Sequence, residues 1–84
     1  MAVASGTAPG DPERPHQIPL TRRERQVAAL VASGRTNRQI GRVLGISEKT
    51  AEVHLHHVMS KLDVRSRAEV AAWAVAQHLS APGR

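Results

Sequence analysis

Eighty-four residues suffice for one small domain with a thin core, and twelve Lys and Arg against seven Asp and Glu give it a net charge of +5 that favours polyanions as partners. Cysteine is absent, which excludes disulfides, thiolate metal sites and sulfur redox chemistry; no apolar run suits a membrane span or a secretory signal, so a cytoplasmic protein is expected. Phe and Tyr are absent and Trp73 is the single aromatic, so the base-stacking platforms of sheet-based RNA and single-strand binders are missing, while duplex recognition by a helix stays open.

Residues 1–19 hold four of the five prolines (Pro9, Pro12, Pro15 and Pro19) and two glycines without apolar periodicity, which reads as a disordered or extended leader. The pattern changes at Leu20. Eleven of the bases and five of the acids lie from residue 17 onward, so the positive charge belongs to the folding part. Thr21 and Glu24 form a T-x-x-E capping box, and Val27, Ala28, Leu30 and Val31 continue a helix to Ser33, where Gly34 stops it. Thr36 and Gln39 form a second box ahead of Ile40, Val43 and Leu44, and Gly45 ends that short helix. Ser47 caps a third helix, and because only Gly45 and Ile46 separate it from the second, a tight turn must join the two. Ser66 with Glu69 caps a fourth helix, rich in alanine, that runs to Gln77 or Leu79 before Pro82 and Gly83. There is no strand-like alternation and no internal repeat. The expected architecture is all-α: a leader over 1–19, a four-helix domain over 20–79 and a tail over 80–84.

The third helix, residues 47–62, divides into three stripes at about 100° per residue. Ala51, Leu55, Val58 and Leu62 form a narrow apolar face suited to a core. The opposite face carries Lys49, Glu52, Val53, His56 and Ser60, whose donors, acceptor and methyl groups suit base edges in a major groove. Between them lie Thr50, His54, His57 and Lys61, suited to phosphate oxygens. A short helix, a glycine-containing turn and a longer helix with polar outer stripes make a helix-turn-helix, whose second member enters the major groove. An ordinary αα-hairpin shares that spacing, and the stripes weigh against it.

Three side-chain groups admit more than one role. His54 and His57 share a side of the helix, but with no cysteine and no carboxylate there they read as solvated or phosphate-facing imidazoles rather than a metal site. Protonating His54, His56 and His57 adds positive charge to this face, which predicts tighter DNA binding at about pH 6 than at about pH 8. Val53 gains no burial on the outer face; it reads either as an ordinary exposed valine or as a contact for a thymine methyl. The fourth helix is apolar on more than one side, with Val70, Ala71, Ala74 and Leu79 alongside Ala68, Ala72, Trp73, Val75 and Ala76, so a dimer contact is expected among Ala72, Trp73, Val75 and Ala76. Trp73 has the alternative of capping the domain's own core. No phosphate-binding glycine loop, paired carboxylates or nucleophile–base spacing points to an enzyme, and no cofactor is expected.

The ordered segments L-T-R-R-E-R-Q-V at 20–27, G-R-T-N-R-Q-I at 34–40, L-G-I-S-E-K-T at 44–50, His54, K-L-D-V at 61–64 and Arg67 resemble the LuxR/FixJ-type (GerE-like) helix-turn-helix, the DNA-binding domain of many bacterial transcription regulators. The resemblance spans residues 20 to 79. It implies a four-helix domain that binds duplex DNA as a homodimer and controls transcription initiation, with helix three in the major groove and helix four at the two-fold contact. The family's base contacts fall on Glu52, Val53 and His56. Its phosphate contacts fall on Thr36 or Asn37, on Ser47, Lys49 and Thr50, and on Lys61.

This chain departs from the family pattern in places. Glu52 stands where a lysine is usual, replacing a donor by an acceptor suited to cytosine N4, so a different base preference and weaker non-specific binding are expected. Ala28, Gly41 and Ala51 replace residues that are usually larger, implying a looser core or a closer approach of helices, and Gly41 inside a helix costs about 1 kcal/mol relative to alanine. A sigma-factor promoter-reading domain also uses a helix-turn-helix, but the Lys61-Leu62-x-Val64-x-x-Arg67 block and the fourth helix argue against it. A module that contacts RNA polymerase or another regulator without reading DNA is the alternative from a different class. Met1 mildly favours a stand-alone regulator over the effector end of a longer chain.

Overall fold

Each helix begins where a side-chain oxygen meets amide groups that have no partner in the first turn. The computed structural model describes residues 19–79 and 81–82, so the expected leader, Pro19 aside, lies outside the described residues, as does most of the 80–84 tail. Among the described residues the elements are α1 (Arg22–Ala32), α2 (Asn37–Leu44), α3 (Glu48–Leu62) and α4 (Arg67–Ala76), with no strand. The N-caps are Thr21, Thr36, Ser47 and Ser66, as the spacing predicts. Three are reciprocal capping boxes. The Glu24 amide donates to Thr21 Oγ1 at 3.1 Å while Glu24 Oε1 accepts from the Thr21 amide at 2.8 Å, and Gln39 and Glu69 do the same for Thr36 and Ser66. The Arg65 amide, donating to Glu69 Oε1 at 2.8 Å, holds that exposed carboxyl below its ordinary range.

Helix ends follow the same local logic. Gly34 and Gly45 adopt left-handed φ values of 87° and 72°, which relieve the carbonyls at the ends of α1 and α2. Asp63 closes α3 at φ 57°, a conformation that a short polar side chain tolerates better than most. α4 stops at Ala76, and the following turn places His78 at φ 58° and returns the Leu79 amide to the Ala74 carbonyl at 3.1 Å.

α1 is central, packing on α4 and α3, while α2 packs chiefly on α3. The core is aliphatic: Val27, Leu30, Ile40, Val58 and Val70 are fully buried, and Ala28, Ala51 and Ala74 are sealed between helices. Of the apolar stripe of α3, Ala51, Leu55 and Val58 are buried and Leu62 packs at the margin. Gly41 resolves the choice between a looser core and a closer approach. A Cβ there would stand 2.6 Å from the Ile46 carbonyl oxygen and 3.2 Å from the Ser47 carbonyl carbon, so the missing side chain lets the α2–α3 turn fold back onto α2. The Ile46 amide closes that contact by donating to the Gly41 carbonyl at 2.9 Å. Among the described residues, no helix is long and apolar enough to cross a membrane.

One buried charge ties the start of α1 to the end of α3. Glu24, 5% exposed, receives the Lys61 ammonium on Oε1 at 2.8 Å, the same oxygen that accepts from the Thr21 amide. Desolvation pushes its carboxyl up, but the Lys61 hydrogen bond, the Thr21 amide and the Lys61 charge together push it further down, and the net pKa lies below the usual value. A carboxyl whose pKa is depressed by folding contributes stability above its unfolded pKa and loses it as the pH falls through the folded value.

Gly41→Val is expected to lower the unfolding free energy by at least about 2 kcal/mol. Its melting temperature should fall by about 10 °C or more, and a melt within about 2 °C of the parent would show that the turn yields to a side chain. Lys61→Met, which strands the Glu24 carboxylate, is expected to cost about 2–3 kcal/mol near neutral pH, and urea titrations should find the deficit shrinking as Glu24 is protonated. An equal deficit at about pH 7 and about pH 3.5 would mean that the ion pair is not its source.

Candidate nucleic-acid interface

The α2–α3 pair is positioned from behind by the core and from its ends by charged ties, and its outer surface is left to solvent. Lys49, Val53, His56 and Ser60 are exposed along α3 and Glu52 is partly covered. The third stripe has Thr50 and His57 exposed and His54 and Lys61 half-buried. Lys49, Glu52, Val53 and His56 thus share the outer side of the first turns of α3, with Ser47 and Thr50 exposed at its start.

The chemistry within this group is specific. Lys49 Nζ lies 3.6 Å from Glu52 Oε1, one helical turn away, so the two charges form a pair. Ser47 Oγ accepts from the Thr50 amide at 2.9 Å and donates to Thr50 Oγ1 at 2.9 Å, which leaves the Thr50 hydroxyl hydrogen for an outside acceptor. Thr36 is exposed, with its Oγ1 accepting from the Gln39 amide. Asn37, half-buried, is held by a residue for which the sequence suggested no role: Arg67 Nη1 donates to Asn37 Oδ1 at 2.9 Å, while Nη2 donates to the Arg35 carbonyl. A guanidinium has only donors, so the Asn37 oxygen must face it and the Asn37 NH2 is the atom left for an external acceptor.

Other expected positions stand differently. Lys61, expected at a phosphate, has its ammonium on Glu24, and its side chain is 25% exposed. On α4, Ala72, Val75 and Ala76 are exposed, Val75 at 65%, whereas Trp73 is half-buried and packs against the domain's own core. Two cations were missed. Arg38 and Arg42 are exposed one turn apart on α2, with no ion pair among the described residues. The signal was present, because α2 contains both arginines and no carboxylate to balance them.

Known proteins match this same stretch. Residues 18–74 match the family described as bacterial regulatory proteins, luxR family. The chain is 41% identical over 70 residues to the transcriptional regulatory protein LiaR of Bacillus subtilis, a match that covers 83% of this chain and 33% of that protein. It is 44% identical over 54 residues to the nitrate/nitrite response regulator protein NarL of Escherichia coli K12, covering 64% of this chain and 25% of NarL. The corresponding figures for NarP of the same organism are 47% over 58 residues, 69% and 26%. The chain therefore spans a third or less of the length of these relatives. The stretch matched by the family contains all four N-caps and the α2–α3 turn, and the chain belongs to the luxR family of bacterial regulatory proteins, as a helix-turn-helix DNA-binding domain of transcription regulators.

Proposed function

We propose that this chain reads a specific duplex DNA sequence as a homodimer in the bacterial cytoplasm and thereby regulates transcription. The observation that carries the reading is the exposed surface of α3, where Glu52, Val53 and His56 lie side by side with no folding role to account for them. An α-helix fits the major groove, where acceptors, donors and thymine methyls distinguish all four base pairs. On this reading α3 lies in the groove and Glu52, Val53 and His56 meet base edges. Phosphates meet the Thr36 and Thr50 hydroxyls, the Asn37 amide and the Ser47 end of α3, where free amide groups favour an anion. Arg38 and Arg42 extend that contact along α2. Lys61 serves as an internal tie, and Lys49 belongs with Glu52.

Two copies would meet through α4. Ala72, Val75 and Ala76 expose small apolar side chains, while Trp73 packs against the core. A domain with so thin a core gains from burying that surface, and a two-fold contact would place two α3 helices on two half-sites.

Selection of bound duplexes from a random pool is expected to enrich an inverted repeat whose affinity falls steeply with added salt, as phosphate contacts release counterions. His56→Ala should weaken binding to that repeat by about tenfold with little effect on random duplex. Salt-sensitive binding without any enriched sequence would reject sequence reading by this chain. Val75→Glu, at a position exposed in the single chain, should leave the melting of the monomer within about 2 °C and abolish the dimer in sedimentation. A dimer that survives it would place the two-fold contact elsewhere.

A further inference from the structure

The Lys49–Glu52 pair is the least expected feature of a surface meant for a polyanion. A carboxylate among phosphates is repelled, and an exposed ion pair at i, i+3 adds little to a helix, so neither fold nor backbone affinity explains it. Base edges offer an explanation. An ionised carboxylate only accepts, and in the major groove just two groups donate, cytosine N4 and adenine N6. Adenine places the N7 acceptor beside N6, so the second carboxylate oxygen would face a lone pair; cytosine has no acceptor there. Guanine offers two acceptors, and thymine a carbonyl and a methyl, so both exclude the carboxylate.

The ammonium completes the match. In a C·G pair the cytosine N4 donor is hydrogen-bonded to guanine O6, about 2.9 Å away, so the groove edge shows a donor and an acceptor side by side. Lys49 Nζ and Glu52 Oε1, 3.6 Å apart, present the opposite pattern at nearly the same spacing. Guanine adds N7 as a second acceptor for the ammonium, whereas the thymine of an A·T pair offers only O4 beside its methyl. We propose that Lys49 and Glu52 act as one recognition unit for a C·G base pair, with Glu52 accepting from cytosine N4 and Lys49 donating to guanine O6 and N7. The proposal rests on α3 lying in the major groove. It makes Lys49 a specificity determinant rather than a phosphate contact, and it gives the pair a polarity: C·G is accepted and G·C refused.

The test is the same duplex selection run on the 84-residue chain and on two variants, Glu52→Gln and Lys49→Met, each checked by circular dichroism for an unchanged melt. The parent is expected to require C·G at one position of each half-site, losing about tenfold or more on replacement by any other pair. In Glu52→Gln that position should change to A·T, because an amide matches adenine N6 and N7 together. In Lys49→Met the preference for C·G over A·T should shrink by about threefold or more, because the guanine O6 and N7 contacts are lost while the carboxylate still disfavours adenine N7. An enriched repeat whose every position is the same in parent and Glu52→Gln would overturn the unit while leaving sequence reading intact. No enriched repeat in the parent would overturn both.

Discussion

A single carboxylate oxygen sets the frame of this domain. Glu24 Oε1 accepts from the Thr21 amide, which starts α1, and from the Lys61 ammonium, which ends α3. α3 is otherwise held by a short aliphatic seam of Ala51, Leu55 and Val58, and such a seam resists sliding along its axis only weakly because dispersion contacts have no direction. A buried hydrogen-bonded charge does have direction. It fixes the far end of α3 against α1 while Gly41 lets the near end fold tightly onto α2, so the angle and the register of the exposed face follow from one contact at each end.

Arg67 plays the complementary part for α2. It stands on the first turn of α4 and reaches back to Asn37 and the Arg35 carbonyl, so the start of α2 is set by the helix whose outer face is apolar. The guanidinium satisfies an acceptor that no helix bond serves, and it turns the Asn37 amide so that the NH2 faces away. Both ties remove a cation from the outer surface. Arg38 and Arg42 leave positive charge on α2, while exposed Glu48 and the Lys49–Glu52 pair leave the first turns of α3 with no excess of it. Such a face gains little from phosphates in general, and on the proposed reading it depends on matched base edges.

How much of this was legible in the sequence depends on range. The caps were legible because a hydroxyl and a residue three places on need nothing but each other, and all four helices start where the caps predict. The stripes of α3 were legible because period alone separates Ala51, Leu55 and Val58 from Val53 and His56. The ties were not: 37 residues separate Glu24 from Lys61 and 30 separate Asn37 from Arg67, and no local pattern joins them. A hint existed, since Glu24 shares a helix face with Val27, Ala28 and Val31 and a carboxylate on a buried stripe requires a cation. The sequence left Gly41 between a loose core and a close approach, because only coordinates show the Ile46 oxygen opposite it. It likewise left Trp73 between a dimer face and the domain's own core; the ring packs against the core.

The absence of large aromatics from the core connects these points. With valine, leucine, isoleucine and alanine as its packing units, the domain fills little volume per residue, and Ala28, Ala51 and Ala74 allow helix axes to lie close together. Long side chains then span the contacts, and a lysine and an arginine each satisfy groups on a distant element. The same economy leaves Val75 and its alanine neighbours on α4 uncovered. Placement of α3 thus relies on directional ties more than on core volume, and the apolar surface not used inside is the one that, on the proposed reading, joins a second copy.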